Sequence, residues 1–229
     1  MNLSLSRKIN IAIDGPAGAG KSTIARRVAE RLGYIYVDTG AMYRAVTLAT
    51  MRAQIDLGDD VSLVRMVKSQ HIHLLPGPQG QKVFLNGEDV TELIRSSEVT
   101  ALVSRVSAIE AIREHLVRLQ RAMSDSKGIV MDGRDIGTKV MPDAEVKVFL
   151  TASVQVRAER SFSELRDKQP NVTVESLMQS IEERDRMDMG RAISPLKQAV
   201  GAVVIDSSEQ SIEEVVEAIM SLCRNTQGE

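Results

Sequence analysis

At 229 residues, 43% of them hydrophobic, the chain can bury a large core as one α/β domain with insertions or as two small domains. Twenty-nine basic against thirty-one acidic residues leave a net charge of −2, which provides no basic field for a long nucleic-acid backbone, and three Phe, three Tyr and no Trp leave no stacking platform for single strands. No apolar stretch approaches the ~20 residues that cross a bilayer, no secretion segment is recognisable, and the single cysteine, Cys223, excludes disulfide frameworks and multi-cysteine metal sites, so a cytoplasmic protein with an idle thiol is expected.

In chain order, Ile9 to Ile13 is an apolar, β-branched run that predicts a strand. Directly after it, Gly15-Pro16-Ala17-Gly18-Ala19-Gly20-Lys21-Ser22 fits G-x-x-x-x-G-K-[ST], a loop whose main-chain N–H groups converge on phosphate oxygens at the start of a helix. In this motif Lys21 reaches the β- and γ-phosphates and Ser22 the Mg²⁺. The context agrees, because Ile24, Val28 and Leu32 recur as one face of a helix beginning at Lys21.

Further strands are expected at Tyr34 to Val37, Gly128 to Met131, Val146 to Leu150 and Ala202 to Ile205. Helical periodicity covers Gly40 to Arg52, Ile109 to Met123, Val154 to Leu165, Val174 to Met187 and Ile212 to Leu222, the last opened by a Ser211/Glu214 capping box. Strands alternating with helices predict an α/β fold with a parallel sheet flanked by helices. One segment breaks the rhythm: short apolar runs around Pro76-Gly77 and Asn86-Gly87 read as hairpins, and residues 62–95 are expected to form a small β-rich inserted subdomain. His71 and His73 share a strand face, but no third ligand accompanies them.

Two further features carry chemistry. The strand ending at Met131 runs into Asp132-Gly133-Arg134-Asp135-Ile136-Gly137, and ligands in open α/β sheets sit at the carboxyl ends of strands. Asp132 is placed to help hold Mg²⁺, directly or through water, and Arg134 to hold a phosphate. Arginines also accumulate on stretches that lead to this edge: Arg44, Arg113, Arg157, Arg160, Arg184, Arg186 and Arg191. Their planar forks suit phosphate, so two phosphorylated ligands are expected rather than one. Arg184, Asp188 and Arg191 share one helix face if the helix continues that far.

Taken in order, these segments resemble the bacterial cytidylate kinases from Ile9 to about Leu222. The matching motifs are the phosphate loop, Asp38-Thr39-Gly40-Ala41-Met42-Tyr43-Arg44, Leu85-Asn86-Gly87-Glu88-Asp89-Val90-Thr91, Asp132 to Thr138, Glu183-Arg184-Asp185, Ser194-Pro195-Leu196 and Val204-Ile205-Asp206-Ser207. The resemblance implies a P-loop NTPase-type core over residues 9–61 and 96–224, a helical lid at about 154–171, the insert at 62–95, and flexible termini at 1–8 and 225–229.

It further implies ATP on Gly15, Pro16, Ala17, Gly18, Ala19, Gly20, Lys21, Ser22 and Thr23, with Mg²⁺ at Ser22 and Asp132. CMP or dCMP would be held by Thr39, Tyr43, Arg44 and Arg134 at the phosphate, by Ser104, Arg113 and Asp135 at the cytosine edge, by Arg184 and Asp188 at the sugar, and by Arg191. Lys21, Arg134, Arg157 and Arg160 would serve the transfer itself. The chain departs from the family pattern at Ser161, where a second lid arginine often follows Arg160, and at Ala199-Val200-Gly201-Ala202, where an acid often follows the alanine. Two rival readings share the loop: a kinase for a small hydroxyl acceptor, which needs a base such as Asp38, and a non-catalytic nucleotide-dependent switch. The need for lid and insert to move favours a monomer, with no polymeric nucleic acid and no membrane as partner.

Overall fold

The computed structural model describes residues 7–77, 80–167 and 169–227. Residues 1–6 and 228–229 of the expected flexible termini, Pro78 and Gln79 of the expected hairpin turn, and Lys168 of the expected lid lie outside the described residues. The chain forms two compact units, one running to Ile35 and resuming at Lys127, the other spanning Tyr36–Ser126.

The first unit is built on a sheet with strands β1 (Asn10–Asp14), β6 (Ile129–Gly133), β7 (Val146–Thr151) and β8 (Val203–Asp206). With β2 (Ile35–Asp38), in which the division between the units falls, the strand order is β2-β6-β1-β7-β8. β1 pairs parallel with β6 and β7, and β7 with β8. Every residue of β1 and β6 is buried, which is why both read as continuous apolar runs instead of alternating ones. β1 and β6 end level with each other, Ile13 beside Asp132 and Asp14 beside Gly133, so the glycine-rich loop and the Asp132–Gly137 segment leave the sheet together.

Helix α1 (Lys21–Leu32) buries Ile24, Ala25, Val28, Ala29 and Leu32, the face expected from its periodicity. It is joined to α8 (Ile212–Gln227) by surface ion pairs of Arg27 with Glu213 and of Arg31 with Glu217 at 2.8 Å, contacts worth little individually. The Ser211/Glu214 capping box is formed, Ser211 N–H donating to Glu214 Oε2 at 2.8 Å and Glu214 N–H to Ser211 Oγ at 3.3 Å. Residues 225–227, expected with the flexible terminus, complete α8. Cys223 is buried in α8, and burial pushes its thiol up to about 12. The remaining helices of this unit are α6 (Val154–Leu165) and α7 (Val174–Met189).

The second unit centres on α2 (Thr39–Arg52), whose residues Thr39, Ala41–Tyr43 and Ala45–Thr50 are all buried. Around it pack α3 (Asp60–Ser69), α4 (Ser97–Val106), α5 (Glu110–Ser124) and the antiparallel sheet β3 (Ile72–Leu75), β4 (Lys82–Leu85), β5 (Glu88–Asp89). Asn86 and Gly87 join β4 to β5 with φ of 52° and 89°, the two positive angles that an Asn-Gly hairpin turn takes. α3 and α4 are helices the periodicity reading did not assign, although each carries a cap: Asp59 accepts from Ser62 N–H at 3.0 Å and Ser96 from Val99 N–H at 3.3 Å. Among the described residues no helix is long and apolar enough to cross a membrane, and no group of three or more His, Cys, Asp or Glu is placed to hold a metal ion.

Candidate active site

The loop after β1 can turn only because position 15 lacks a side chain. Gly15 sits at φ 152°, and a Cβ there would lie 1.9 Å from the Leu150 carbonyl oxygen on β7. α1 begins at Lys21 with no acidic residue in its first turn, so its free N–H groups and positive dipole end stay available to an anion. Lys21 is buried and folded over the loop, Nζ donating to the Pro16 carbonyl at 2.6 Å. Burial lowers its ammonium to about 7, helped by the Arg134 charge and opposed by Asp132. Ser22 is exposed, and its Oγ donates to Asp132 Oδ2 at 3.0 Å. A hydroxyl and a carboxylate are hard oxygen donors, the minimal protein set for an Mg²⁺ that keeps most of its waters and takes phosphate oxygens.

A second polar cluster of the same unit centres on Asp188, which is buried on α7. Arg134 Nε donates to its Oδ2 at 2.7 Å, and Arg191 pairs with its Oδ1. Burial pushes this carboxyl up, but the Arg134, Arg191 and Arg184 guanidiniums outweigh it and hold the group below the usual carboxylate range. The shared helix face of Arg184, Asp188 and Arg191 is not realised as such: α7 ends at Met189, and Arg191 returns to Asp188 from beyond the helix. Asp135 is buried at the head of a single π-helical turn, Ile136–Val140.

Sequence reasoning missed the acid that supports this turn. Asp14, the last residue of β1, is 3% exposed and accepts from Ile136 N–H at 2.8 Å and Gly137 N–H at 2.7 Å. An acid closing an all-apolar strand immediately before the loop was the signal. Burial raises its carboxyl to about 6, the two N–H donors only partly offsetting this. Since that lies above the ordinary 3.8, the stability attached to the group is complete below 3.8 and is lost as pH rises through about 6. Asp14→Asn has no such loss, and its unfolding free energy in urea should gain on the parent's by about 1 kcal/mol between about pH 5 and about pH 7.5. Parallel pH dependences of the two proteins would refute this.

The two arginines expected in the lid are both engaged within the first unit. Arg157, 4% exposed on α6, donates to the Ala17 carbonyl at 2.9 Å and the Ala152 carbonyl at 3.0 Å, and pairs with Asp185 of α7 at 2.7 Å. Arg160 donates to Ser207, at 2.6 Å to its carbonyl and 3.1 Å to its Oγ. Ser207 Oγ in turn lies 3.4 Å from the Ala19 carbonyl of the loop.

In the second unit, three helices bring the remaining expected residues together. Thr39, Tyr43 and Arg44 stand on the first turns of α2, Ser104 on α4 and Arg113 on α5. Arg113 is 2% exposed, lies 5.1 Å over the Tyr43 ring and donates to the Ser107 carbonyl at 2.8 Å. Arg44 donates to Thr100 Oγ1 at 2.8 Å and to the Ile94 carbonyl at 3.1 Å. Thr39 and Ser104 are buried.

A parallel sheet whose first strand feeds a glycine-rich loop and a lysine-led helix, with a Ser–Asp pair at the strand ends, defines the class of P-loop nucleotide-binding proteins. A solved but uncharacterised protein from Eubacterium ventriosum has this fold at a TM-score of 0.52 and 10% identity, over 96% of this chain and 99% of that one. The cytidylate kinase family model matches residues 11–225. Cytidylate kinases of Geobacillus kaustophilus and Bacillus cereus are each 49% identical over 218 residues, 95% of this chain and 97% of theirs. The chain belongs to the cytidylate kinase family.

Proposed function

We propose that the protein transfers the γ-phosphoryl group of ATP to CMP or dCMP, giving CDP or dCDP. The observation that carries this reading is the extent of the likeness, 49% identity to cytidylate kinases along 97% of their length. The chemistry fits the residues present. A monophosphate acceptor has a second pKa near ~6 and is mostly a dianion at neutral pH, so no general base is needed, which removes the role Asp38 would have to fill for a hydroxyl acceptor. Asp38 is in fact used as the N-cap of α2, accepting from Ala41 N–H at 2.9 Å.

What remains is placement and charge. The loop from Gly15 to Thr23 binds the triphosphate, and Lys21 is the cation buried inside it. Ser22 and Asp132 hold Mg²⁺, which when bound neutralises the phosphate oxygens. Arg134, Arg157 and Arg160 are the further cations assigned to the transferring group. Thr39, Tyr43 and Arg44 take the acceptor phosphate, Ser104, Arg113 and Asp135 the cytosine edge, and Arg184 and Asp188 the sugar, with Arg191 a further arginine of the acceptor pocket. A polar base-reading set is what a chain without Trp must use.

ADP release from Mg·ATP, coupled to a reporter and run with CMP, dCMP, UMP, AMP and a small hydroxyl acceptor in parallel, tests the assignment. CMP and dCMP should turn over fastest, and Arg113→Ala should lose on the order of 10²- to 10³-fold in kcat/KM for CMP, as for truncating one partner of a buried charged contact. Preference for AMP or for the hydroxyl acceptor would overturn the specificity, and ATP binding without any transfer would favour the switch reading.

A further inference from the structure

Asp14 lies outside every role assigned above, yet it joins two of the assigned parts. It is the residue before Gly15, where the phosphate loop begins, and its carboxylate holds the two N–H groups that follow Asp135. Those N–H groups open a helical turn, where no earlier turn supplies acceptors, so a carboxylate with two oxygens matches what the turn leaves unpaired. Accepting from Ile136 N–H fixes the peptide plane between Asp135 and Ile136, and hence the backbone from which the Asp135 side chain departs. The contact leaves no slack: a Cβ on Gly137 would stand 3.3 Å from Asp14 Oδ2 and 3.1 Å from Ala199 Cβ.

We propose that Asp14 is a positioning residue for acceptor recognition, holding the Asp135 segment in register with the phosphate loop and thereby setting the preference for a cytosine over a uracil monophosphate. This rests on the reading that Asp135 faces the acceptor base. Asparagine cannot substitute, because its single oxygen satisfies one N–H while its NH₂ is turned on the other.

The experiment compares Asp14→Asn, Gly137→Ala and Asp135→Asn with the parent, measuring kcat and KM for CMP, UMP and Mg·ATP together with the thermal midpoint. Asp14→Asn should raise KM for CMP about tenfold, the effect of leaving one buried N–H unpaired, and narrow the CMP-to-UMP ratio of kcat/KM, with KM for Mg·ATP moving less than about twofold. Gly137→Ala crowds the same contact with the carboxylate intact and should narrow the ratio likewise, so the test survives if Asp14→Asn does not fold. Parallel losses with CMP, UMP and Mg·ATP at an unchanged ratio would overturn the proposal and leave Asp14 a structural support of the loop. If Asp135→Asn collapses the ratio while the other two variants do not, the proposal alone fails. If Asp135→Asn leaves the ratio unchanged, the reading of Asp135 fails and the proposal falls with it.

Discussion

Lys21→Met should lower kcat for phosphoryl transfer by on the order of 10²- to 10³-fold, the effect of deleting one preorganised charge or donor from a site that stabilises developing negative charge. Lys21 is the cation inside the phosphate loop, buried and held by the Pro16 carbonyl at 2.6 Å. Burial, helped by the Arg134 charge, lowers its ammonium to about 7, and bound phosphate oxygens would favour its charged form. Methionine matches the length and apolar stem, and α1 retains the buried face of Ile24, Val28 and Leu32, so the fold should persist. Rapid-quench or coupled assays at saturating Mg·ATP and CMP measure the loss. A kcat within about threefold of the parent would show that Lys21 is not part of the transfer, since that is under 1 kcal/mol.

Arg157→Met should destabilise the protein by about 3–5 kcal/mol, because removing one partner of a buried ion pair strands the other charge. The stranded group is Asp185, whose side chain is 12% exposed and 2.7 Å from Arg157. The same substitution leaves the Ala17 and Ala152 carbonyls without the guanidinium that now serves both, so the phosphate loop loses its tie to α6 and α7. At about 2–4 °C per kcal/mol for a chain of this size, calorimetry should show a midpoint roughly 10 °C lower. Adding Asp185→Leu to Arg157→Met should return most of the stability, since the pair is then replaced by apolar groups, but not the tie to Ala17. A midpoint within about 3 °C of the parent in the single variant would refute the anchoring role. An arginine that the family resemblance assigned to the transfer itself thus also ties the phosphate loop to α6 and α7.

What the sequence determined by itself is what short-range physics encodes. Ile9 to Ile13 followed by a glycine-rich loop and the Ile24, Val28, Leu32 spacing specify strand, cradle and helix within two dozen residues, and Asn86-Gly87 and Ser211/Glu214 specify a turn and a cap within four. The ordered motifs extended this to a family, which the matched span of residues 11–225 bears out. α3 and α4 escaped notice because each is ten residues long and lies beside turn-rich segments, although Asp59 and Ser96 announced their starts.

Only the tertiary structure decided which charges meet. Asp14 and Gly137 are 123 residues apart, Arg157 and Ala17 140 apart, and Arg134 and Asp188 54 apart. Nothing in local spacing selects those partners. They are chosen because parallel pairing of β1 with β6 and β7 brings distant strand ends level, and because burial there obliges every carboxylate, guanidinium and main-chain N–H to find an acceptor or donor within reach. Asp188 shows the difference most plainly: its spacing from Arg184 and Arg191 suggested one shared helix face, whereas the fold buries it between Arg134, brought from the end of β6, and Arg191, which lies past the end of α7.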